Sequence, residues 1–108
     1  MRTLRDVQQE IDTLIKQEWQ SHYWAPLSSL ARLIEEVGEL AREINHSYGE
    51  KPKKSSEGQG NIAAEMGDIL FILASLANSI GVDLDTAFEE VMAKYQKRDA
   101  QRWKRPES

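Results

Sequence analysis

The sequence predicts an all-α protein, a four-helix bundle in a single domain of residues 1–108. Two observations support this fold class. Apolar residues recur at helical spacing in four separate segments, and no segment shows the alternation that is typical of a half-buried strand. In addition, a chain of 108 residues forms only a modest core by itself. Because burial between copies would strengthen so small a core, we expect a homo-oligomer.

The first two helices follow from apolar spacing and from proline. The first helical pattern joins Leu4, Val7, Ile11, Leu14 and Ile15 and fades near Trp19. Thr3 or an earlier residue can cap this helix by accepting a hydrogen bond from a free amide of the first turn. Pro26 marks the start of the second helix, since proline suits a first helical turn and disfavours helical geometry at the preceding residue. The second helix carries an apolar stripe of Leu30, Leu33, Ile34, Val37, Leu40, Ala41 and Ile44.

The third and fourth helices differ in how their apolar residues are distributed around the helix. The third begins near Asn61 or Ile62, is apolar almost all round and ends at Gly81, so we expect it to be central in the bundle. Asp83 or Asp85 can cap the fourth helix. That helix is expected to bury Leu84, Ala87, Phe88, Val91, Met92 and Tyr95.

Two segments are predicted to lie outside the helices. Residues 45–60 hold three glycines, one proline, three serines and three lysines, a composition that predicts a long flexible loop. Loops of this length in compact domains are often functional, and closure of this one over a substrate is left open. Residues 104–108 are predicted to be a tail.

Composition excludes several classes of protein. The net charge of −4 argues against a nucleic-acid partner, because phosphate contacts require clustered Lys and Arg. The absence of cysteine excludes a disulfide framework and a thiolate nucleophile. The longest apolar run, Ile69–Ala77, is too short to span a bilayer, so no membrane partner is expected. We therefore expect a cytoplasmic protein.

Four acidic residues carry the functional prediction. Residues three apart on a helix lie on neighbouring sites of one face, so Glu36 pairs with Glu39, and Glu65 pairs with Asp68. No Lys or Arg occurs from residue 55 to 93, and Glu65 and Asp68 lie on the most apolar helix. A buried unpaired carboxylate costs several kcal/mol, so these acids need a partner from elsewhere. A hard cation such as Mg²⁺, which prefers oxygen ligands, is the natural candidate.

Simpler explanations remain open for the same residues. Glu36 and Glu39 could belong to a solvated face that pairs with Arg32 and Arg42. Glu65 lies near the start of its helix, where the helix dipole favours an acid.

Two glycines interrupt the acidic motifs. Gly38 and Gly67 lie inside helices, where glycine costs about 1 kcal/mol relative to alanine. They predict either a close approach of two helix backbones at the metal site or close packing with no ligand nearby.

The acidic pattern resembles a known family. Glu-Glu-x-x-Glu at residues 35–39, followed by Glu-x-x-Asp within residues 65–70, resembles the signature of the all-α nucleoside triphosphate pyrophosphohydrolases. This superfamily includes MazG, the dimeric dUTPases and phosphoribosyl-ATP pyrophosphohydrolase. Residues 26–40 and 94–98 are also similar to the MazG-like branch. The resemblance covers the chain from about Val7 to Trp103 and indicates a single-domain member.

The resemblance implies a reaction and a set of site residues. It implies Mg²⁺-dependent hydrolysis of nucleoside triphosphates, as in house-cleaning of the (d)NTP pool, to the monophosphate and pyrophosphate, with Mn²⁺ as a possible substitute. It implies that Glu36, Glu39, Glu65 and Asp68 bind the metal and that Glu35 orients or deprotonates the attacking water. It further implies a homodimer or homotetramer with sites built by helices of more than one subunit.

Four more residues are candidates for substrate binding. Lys94 and Arg98 lie four apart on the last helix and could grip the triphosphate, although cations are also favoured at any helix C-terminus. Trp24 could stack on the base and His22 could hydrogen-bond its edge. Packing in the core or at an interface is the alternative for both.

Two rival functions are kept. A phosphoribosyl-ATP pyrophosphohydrolase would use the same acidic residues on a different substrate. A non-enzymatic helical interaction module could dock a basic partner on its acidic helix, but it would not need Glu65 and Asp68 on an apolar helix.

Overall fold

The helices are resolved in a computed structural model, which describes residues 1–49, 61–98 and residue 102. Helix α1 spans Leu4–Thr13 and continues into a π-helical turn, Leu14–Glu18; α2 spans Pro26–Tyr48, α3 Ile62–Ile80 and α4 Leu84–Arg98. These described ranges contain four α-helices and no strand, so the predicted all-α class is confirmed. Helices α2 and α3 pack along each other, α1 packs on α3, and α4 packs on α1.

The predicted caps Thr3 of α1 and Gly81 of α3 are present, and Asn61, predicted only as a possible start of α3, caps that helix as well. The Thr3 hydroxyl accepts a hydrogen bond from the Asp6 amide at 3.0 Å, and the Asp6 carboxylate accepts one from the Thr3 amide at 2.9 Å. The Asn61 side chain accepts a hydrogen bond from the Ala64 amide at 2.9 Å. Gly81 closes α3 with a φ of 76°, a left-handed conformation that favours glycine.

Two aspartates near the start of α4, Asp83 just before the helix and Asp85 in its first turn, each accept hydrogen bonds from free amides at a helix end. Asp83 accepts a hydrogen bond from the Asp85 amide at 3.0 Å and so caps α4. Asp85 instead accepts from the amides of Leu4 and Arg5, at 3.2 and 3.0 Å, and so satisfies free donors of α1. These bonds fasten the start of α4 to the start of α1.

The second helix is longer than predicted. Residues 45–48, predicted as loop, are helical, and the Gly49 amide still donates to the Asn45 carbonyl at 2.9 Å. The loop prediction was wrong there because adding a residue to an existing helix is far easier than starting one, so moderate helix formers extend α2 until Gly49. The rest of that predicted loop, residues 50–60, and the predicted tail, residues 104–108, lie outside the described residues.

The core of the single chain is small. Ile11, Ile15 and Ala74 form its buried cluster, and neighbouring side chains of α1, α3, α4 and the chain before α2 pack around it. Helix α3 contacts both α1 and α2, as its predicted central place requires, but it is not covered on all sides in one copy: Met66, Leu70, Leu73 and Ile80 are exposed. By length and composition alone α3 could also cross a membrane, a test that the central helix of a soluble bundle passes too.

Much apolar surface stays exposed in one copy. The prediction that α4 buries its apolar face was wrong for Phe88, Val91, Met92 and Tyr95, which are all exposed; Leu84 and Ala87 are half-buried. The reason is that α4 makes its main contacts with α1 alone. On α2, Ile34 is 64% exposed, because the α2 face against α3 buries Ser29 and Glu36 instead of the outer part of the apolar stripe.

Candidate active site

Three predicted carboxylates meet where α2 and α3 pack together. Glu36 of α2 and Glu65 and Asp68 of α3 each offer an oxygen, and these oxygens lie within 4.8 Å of one another. The spacing of three residues places Glu65 and Asp68 on one face of α3. Glu36 is 5% exposed, Glu65 is half-buried and Asp68 faces solvent. The cluster therefore opens to the surface on the Asp68 side.

Within this cluster, Glu65 has the least favourable environment for a negative charge. Burial, then a hydrogen bond with the Glu36 carboxyl, then the charges of Glu36, Asp68 and Glu39 raise the pKa of Glu65 above its ordinary value. Its Oε2 atom is buried and has no hydrogen-bond partner in the described part of the chain. Glu39, the fourth predicted ligand, is exposed and lies outside the group of three, although its charge reaches Glu65. An acceptor without a donor among several negative charges is a suitable environment for a cation.

Arg32 forms ion pairs with two acidic residues of α2. Such local pairing is what the alternative explanation of these acids, a solvated charged face, predicted. The Arg32 guanidinium lies 2.8 Å from Oε1 of Glu36 and 3.2 Å from Oε2 of Glu35. Local pairing thus explains part of the charge on α2. It does not explain the α3 acids, since no basic side chain among residues 1–49 and 61–98 forms an ion pair with Glu65 or Asp68.

An aromatic cavity of about 300 Å³ adjoins the carboxylate cluster. Asp68 belongs to both, and Arg32 also lines the cavity. The other lining residues come from the π-helical turn, the chain before α2, and helices α2 and α3: Ile15, Trp19, Ser21, His22, Tyr23, Trp24, Ser29, Phe71, Ile72 and Ser75. The predicted substrate residues His22 and Trp24 are thus brought beside the carboxylates, which an extended ligand could bridge.

The sequence analysis missed Trp19 and Phe71 in this cavity. Their rings lie 6.4 Å apart at an angle of 49°, a tilted aromatic contact. The π-helical turn precedes Trp19, whose amide donates to the Leu14 carbonyl at 2.8 Å, and Gln20 follows with a φ of 50°. Such turns often occur at functional sites. The signal in the sequence was the loss of apolar spacing after Ile15.

The other predicted residues do not reach the cluster within one chain. Lys94 and Arg98 lie on α4, which packs on α1, and neither lines the cavity. The Lys94 ammonium lies 5.0 Å from the centre of the Tyr95 ring. Glu35 is close along the helix, but its side chain is mostly exposed and is held by Arg32.

The helix backbones do not approach closely at the two glycines. A Cβ atom added at Gly38 or Gly67 would meet no heavy atom within 4 Å. Both predictions for these glycines, a tight metal site and tight packing, are therefore wrong for the single chain. Both residues are exposed, because α2 and α3 meet through other faces.

Fold and site together define the class of protein. The domain is all-α, and two of its adjacent helices present clustered carboxylates, as the resemblance to the all-α pyrophosphohydrolases led us to expect. Residues 25–103 match the MazG nucleotide pyrophosphohydrolase domain. The chain belongs to this family, and it is an enzyme of the pyrophosphohydrolase class.

Two relatives from Bacillus subtilis resemble the chain, one over nearly all of it and one over about two thirds. The uncharacterised protein YpjD of Bacillus subtilis (strain 168) is 49% identical over 106 residues, which cover 98% of this chain and 95% of YpjD. YvdC of the same strain is 32% identical over 81 residues, covering 69% of this chain and 76% of YvdC.

Two solved structures share the fold. The crystal structure of Bacillus subtilis YpjD superposes with a TM-score of 0.79 at 45% identity and covers 91% of this chain and 97% of its own. A Bacillus-conserved MazG protein, described as a nucleotide pyrophosphohydrolase, gives 0.74 at 45% identity, with 91% and 94% covered. The family resemblance predicted from the acidic motif is confirmed.

Proposed function

We propose that this protein hydrolyses nucleoside triphosphates, with ribose or deoxyribose, to the monophosphate and pyrophosphate in a Mg²⁺-dependent reaction in the cytoplasm. The observation that supports this most is the group of three carboxylates whose oxygens lie within 4.8 Å beside an aromatic cavity. The cluster suits the metal and the phosphates, and the cavity suits the base.

Glu36, Glu65 and Asp68, with Glu39 at their edge, would hold the metal ion. The residues fit this role because they offer hard oxygen donors and because one buried oxygen of Glu65 has no other partner in the described chain. Mg²⁺ held there, or Mn²⁺ in its place, would supply positive charge to offset the charge that develops on the phosphoryl oxygens and the leaving pyrophosphate.

Glu35 is the proposed general base. It directly precedes Glu36 on α2, and its carboxylate would take a proton from the water that attacks phosphorus. In the present arrangement Arg32 holds it at 3.2 Å. Arg32 also lines the cavity, so we propose that its guanidinium turns from Glu35 toward the phosphates when a nucleotide binds.

The aromatic cavity is the proposed base site. About 300 Å³ is at the lower end of the usual range for small-ligand pockets. The Trp24 side chain is 61% exposed, so its ring surface is available for stacking, and His22 beside it offers hydrogen-bonding nitrogens.

A homodimer or homotetramer would complete the site. Lys94 and Arg98 lie on α4, which packs on α1 and not beside the carboxylate cluster of the same copy. In the assembly they would instead reach triphosphate bound at the cluster of another copy. The exposed apolar residues of α2 and α4 supply a surface for such an assembly, and the open space at Gly38 and Gly67 allows a second copy to approach these helices.

Phe88→Lys is expected to convert the assembly to monomers. Phe88 is 57% exposed in one copy, so the change costs the isolated chain little, whereas covering a large apolar side chain is worth about 1.5–3 kcal/mol per copy. Sedimentation at micromolar concentration should show a dimer or tetramer for the parent and a smaller species for the variant. Gln9→Lys, the same change of charge at an exposed polar site, is the control. A monomeric parent would contradict the proposed assembly.

The function is tested by the products released from a panel of nucleotides. Standard and modified ribo- and deoxynucleoside triphosphates and phosphoribosyl-ATP are each offered with Mg²⁺. We expect stoichiometric pyrophosphate and monophosphate, loss of turnover in EDTA and recovery with Mg²⁺ or Mn²⁺. Preference for phosphoribosyl-ATP would support the rival enzyme. Release of orthophosphate, or no turnover of any compound, would contradict the proposal and favour the interaction module.

A further inference from the structure

A network of polar side chains joins the chain before α2 to helices α1 and α3. The Tyr23 hydroxyl donates a hydrogen bond to Oδ1 of Asp12 and accepts one from Nδ2 of Asn78 at 3.0 Å. Nδ2 of Asn78 also donates to the carbonyl of Gln8 at 2.9 Å, and its Oδ1 accepts from Nε2 of Gln8 at 2.9 Å. Asp12 and Gln8 lie on α1, and Asn78 lies on α3.

Gln8 makes the anchoring side of this network rigid. It is 7% exposed, and its side-chain amide donates to the Val82 carbonyl at 2.8 Å and accepts from the Leu84 amide at 2.9 Å. Every polar group of this side chain is therefore bonded across α1, α3 and the turn before α4. A fully satisfied buried network of this kind fixes the orientation of its members, Asn78 included.

The protonation states of Tyr23 and Asp12 fix which group donates in the hydrogen bond between them. Burial, then the hydrogen bond to Asp12, raise the pKa of Tyr23 to about 12. The same bond, followed by the contact with Lys16, lowers the pKa of Asp12. The hydroxyl thus remains a donor and the carboxylate an acceptor at neutral pH.

The segment that carries Tyr23 has few other attachments. Among the described residues, the backbone of His22, Tyr23 and Trp24 makes no backbone hydrogen bond; the flanking ones run from the Ser21 amide to the Ile15 carbonyl and from the Ser29 amide to the Ala25 carbonyl. Trp24 is too exposed for packing alone to hold it. The two flanking residues that line the cavity are therefore placed mainly through the Tyr23 side chain.

We propose that Tyr23 is a positioning residue whose hydroxyl, held between Asp12 and Asn78, fixes His22 and Trp24 as a preformed wall of the cavity. This inference rests on the proposed function, since the wall is meant for a nucleotide base. A wall fixed in advance lowers the entropy lost on binding and so strengthens substrate affinity. It leaves the chemical step at the carboxylate cluster unchanged.

The test substitutes Tyr23→Phe and measures two quantities. Without metal or nucleotide, amide hydrogen exchange of Ser21, the hydrogen-bonded amide nearest before Tyr23, should become about tenfold faster, the factor expected for loss of one hydrogen bond that holds the segment. In the turnover assay, KM for a triphosphate should rise about tenfold while kcat stays within about twofold. The split between KM and kcat is a readout that general destabilisation would not produce.

Two further sets of variants keep the test independent of folding. Asp12→Ala should behave like Tyr23→Phe, whereas Asp12→Asn retains an acceptor oxygen and should behave like the parent. Arg5→Gln breaks the 2.7 Å ion pair with Asp83 near the start of α1 and serves as a matched destabilising control. It should lower Tm without changing exchange of the Ser21 amide or KM.

The outcomes separate this inference from the proposed function. Unchanged exchange of the Ser21 amide in both Tyr23→Phe and Asp12→Ala would overturn the inference, as would an equal increase in Arg5→Gln. A lower kcat at constant KM in an active enzyme would also overturn it. A parent that turns over no nucleotide would remove the proposed function first and the base-positioning role with it, whatever the exchange rates show.

Discussion

Glu36→Gln is expected to reduce pyrophosphate release about a hundredfold or more while helix content stays unchanged. The substitution keeps the size of the side chain and removes a charge from the centre of the cluster, where Glu36 lies within 4.8 Å of Glu65 and Asp68. Glu39→Gln should also lose activity, but less completely, because Glu39 lies at the edge of the cluster. Release of pyrophosphate at saturating Mg²⁺ and far-ultraviolet circular dichroism measure the two properties.

The control for this result is Glu90→Gln. Glu90 is exposed on α4, so the same chemical change there should leave turnover within about twofold of the parent. Parental turnover by Glu36→Gln, or turnover by the parent that persists in EDTA, would exclude a metal mechanism at this cluster.

Local features of the fold could be read from the sequence because local interactions determine them. Thr3, Asn61 and Gly81 lie at helix ends in the structure as predicted, since a cap depends only on the residues of the adjoining turn. The carboxylate pair of α3 was predictable for a similar reason. A spacing of three residues on a helix fixes the shared face, and the lack of nearby basic residues is visible in the chain itself.

Features that depend on neighbouring helices could not be read in this way. The apolar face of α4 predicted burial, yet Phe88 and Met92 are exposed, because a periodic pattern shows which face is apolar but not what covers it. Gly38 and Gly67 predicted close backbones and instead face open space. Trp19 enters the cavity through a π-helical turn; the loss of apolar spacing after Ile15 marks the end of the regular helix but not where Trp19 then lies.

Asp68→Asn is expected to reverse its effect on stability when Mg²⁺ is added. Without metal, removing one charge at nearly constant volume relieves repulsion around Glu65, so the variant should melt higher than the parent. The raised pKa of Glu65 sets the pH window. Because folding raises the pKa of Glu65, this residue contributes to the free energy of unfolding fully below its ordinary pKa of 4.5, and the contribution is lost as the pH rises through the folded-state pKa. The metal-free difference should therefore be clear at pH 7 and shrink as the pH falls toward 4.5.

Saturating Mg²⁺ should remove this advantage. A ligand that binds only the folded state adds about 2.7 kcal/mol of stability at a hundredfold excess over its Kd, and the variant, with a weaker site, gains less. An exposed acid contributes little in either condition, so Glu90→Gln should shift with Mg²⁺ as the parent does.

The most direct test of a metal site at Glu36, Glu65 and Asp68 is the Tm of the parent and of Asp68→Asn, each measured in EDTA and in saturating Mg²⁺ at pH 7. We expect the variant to melt higher in EDTA and the order to narrow or reverse in Mg²⁺. Equal Mg²⁺-induced shifts of Tm in the two proteins would contradict the metal site.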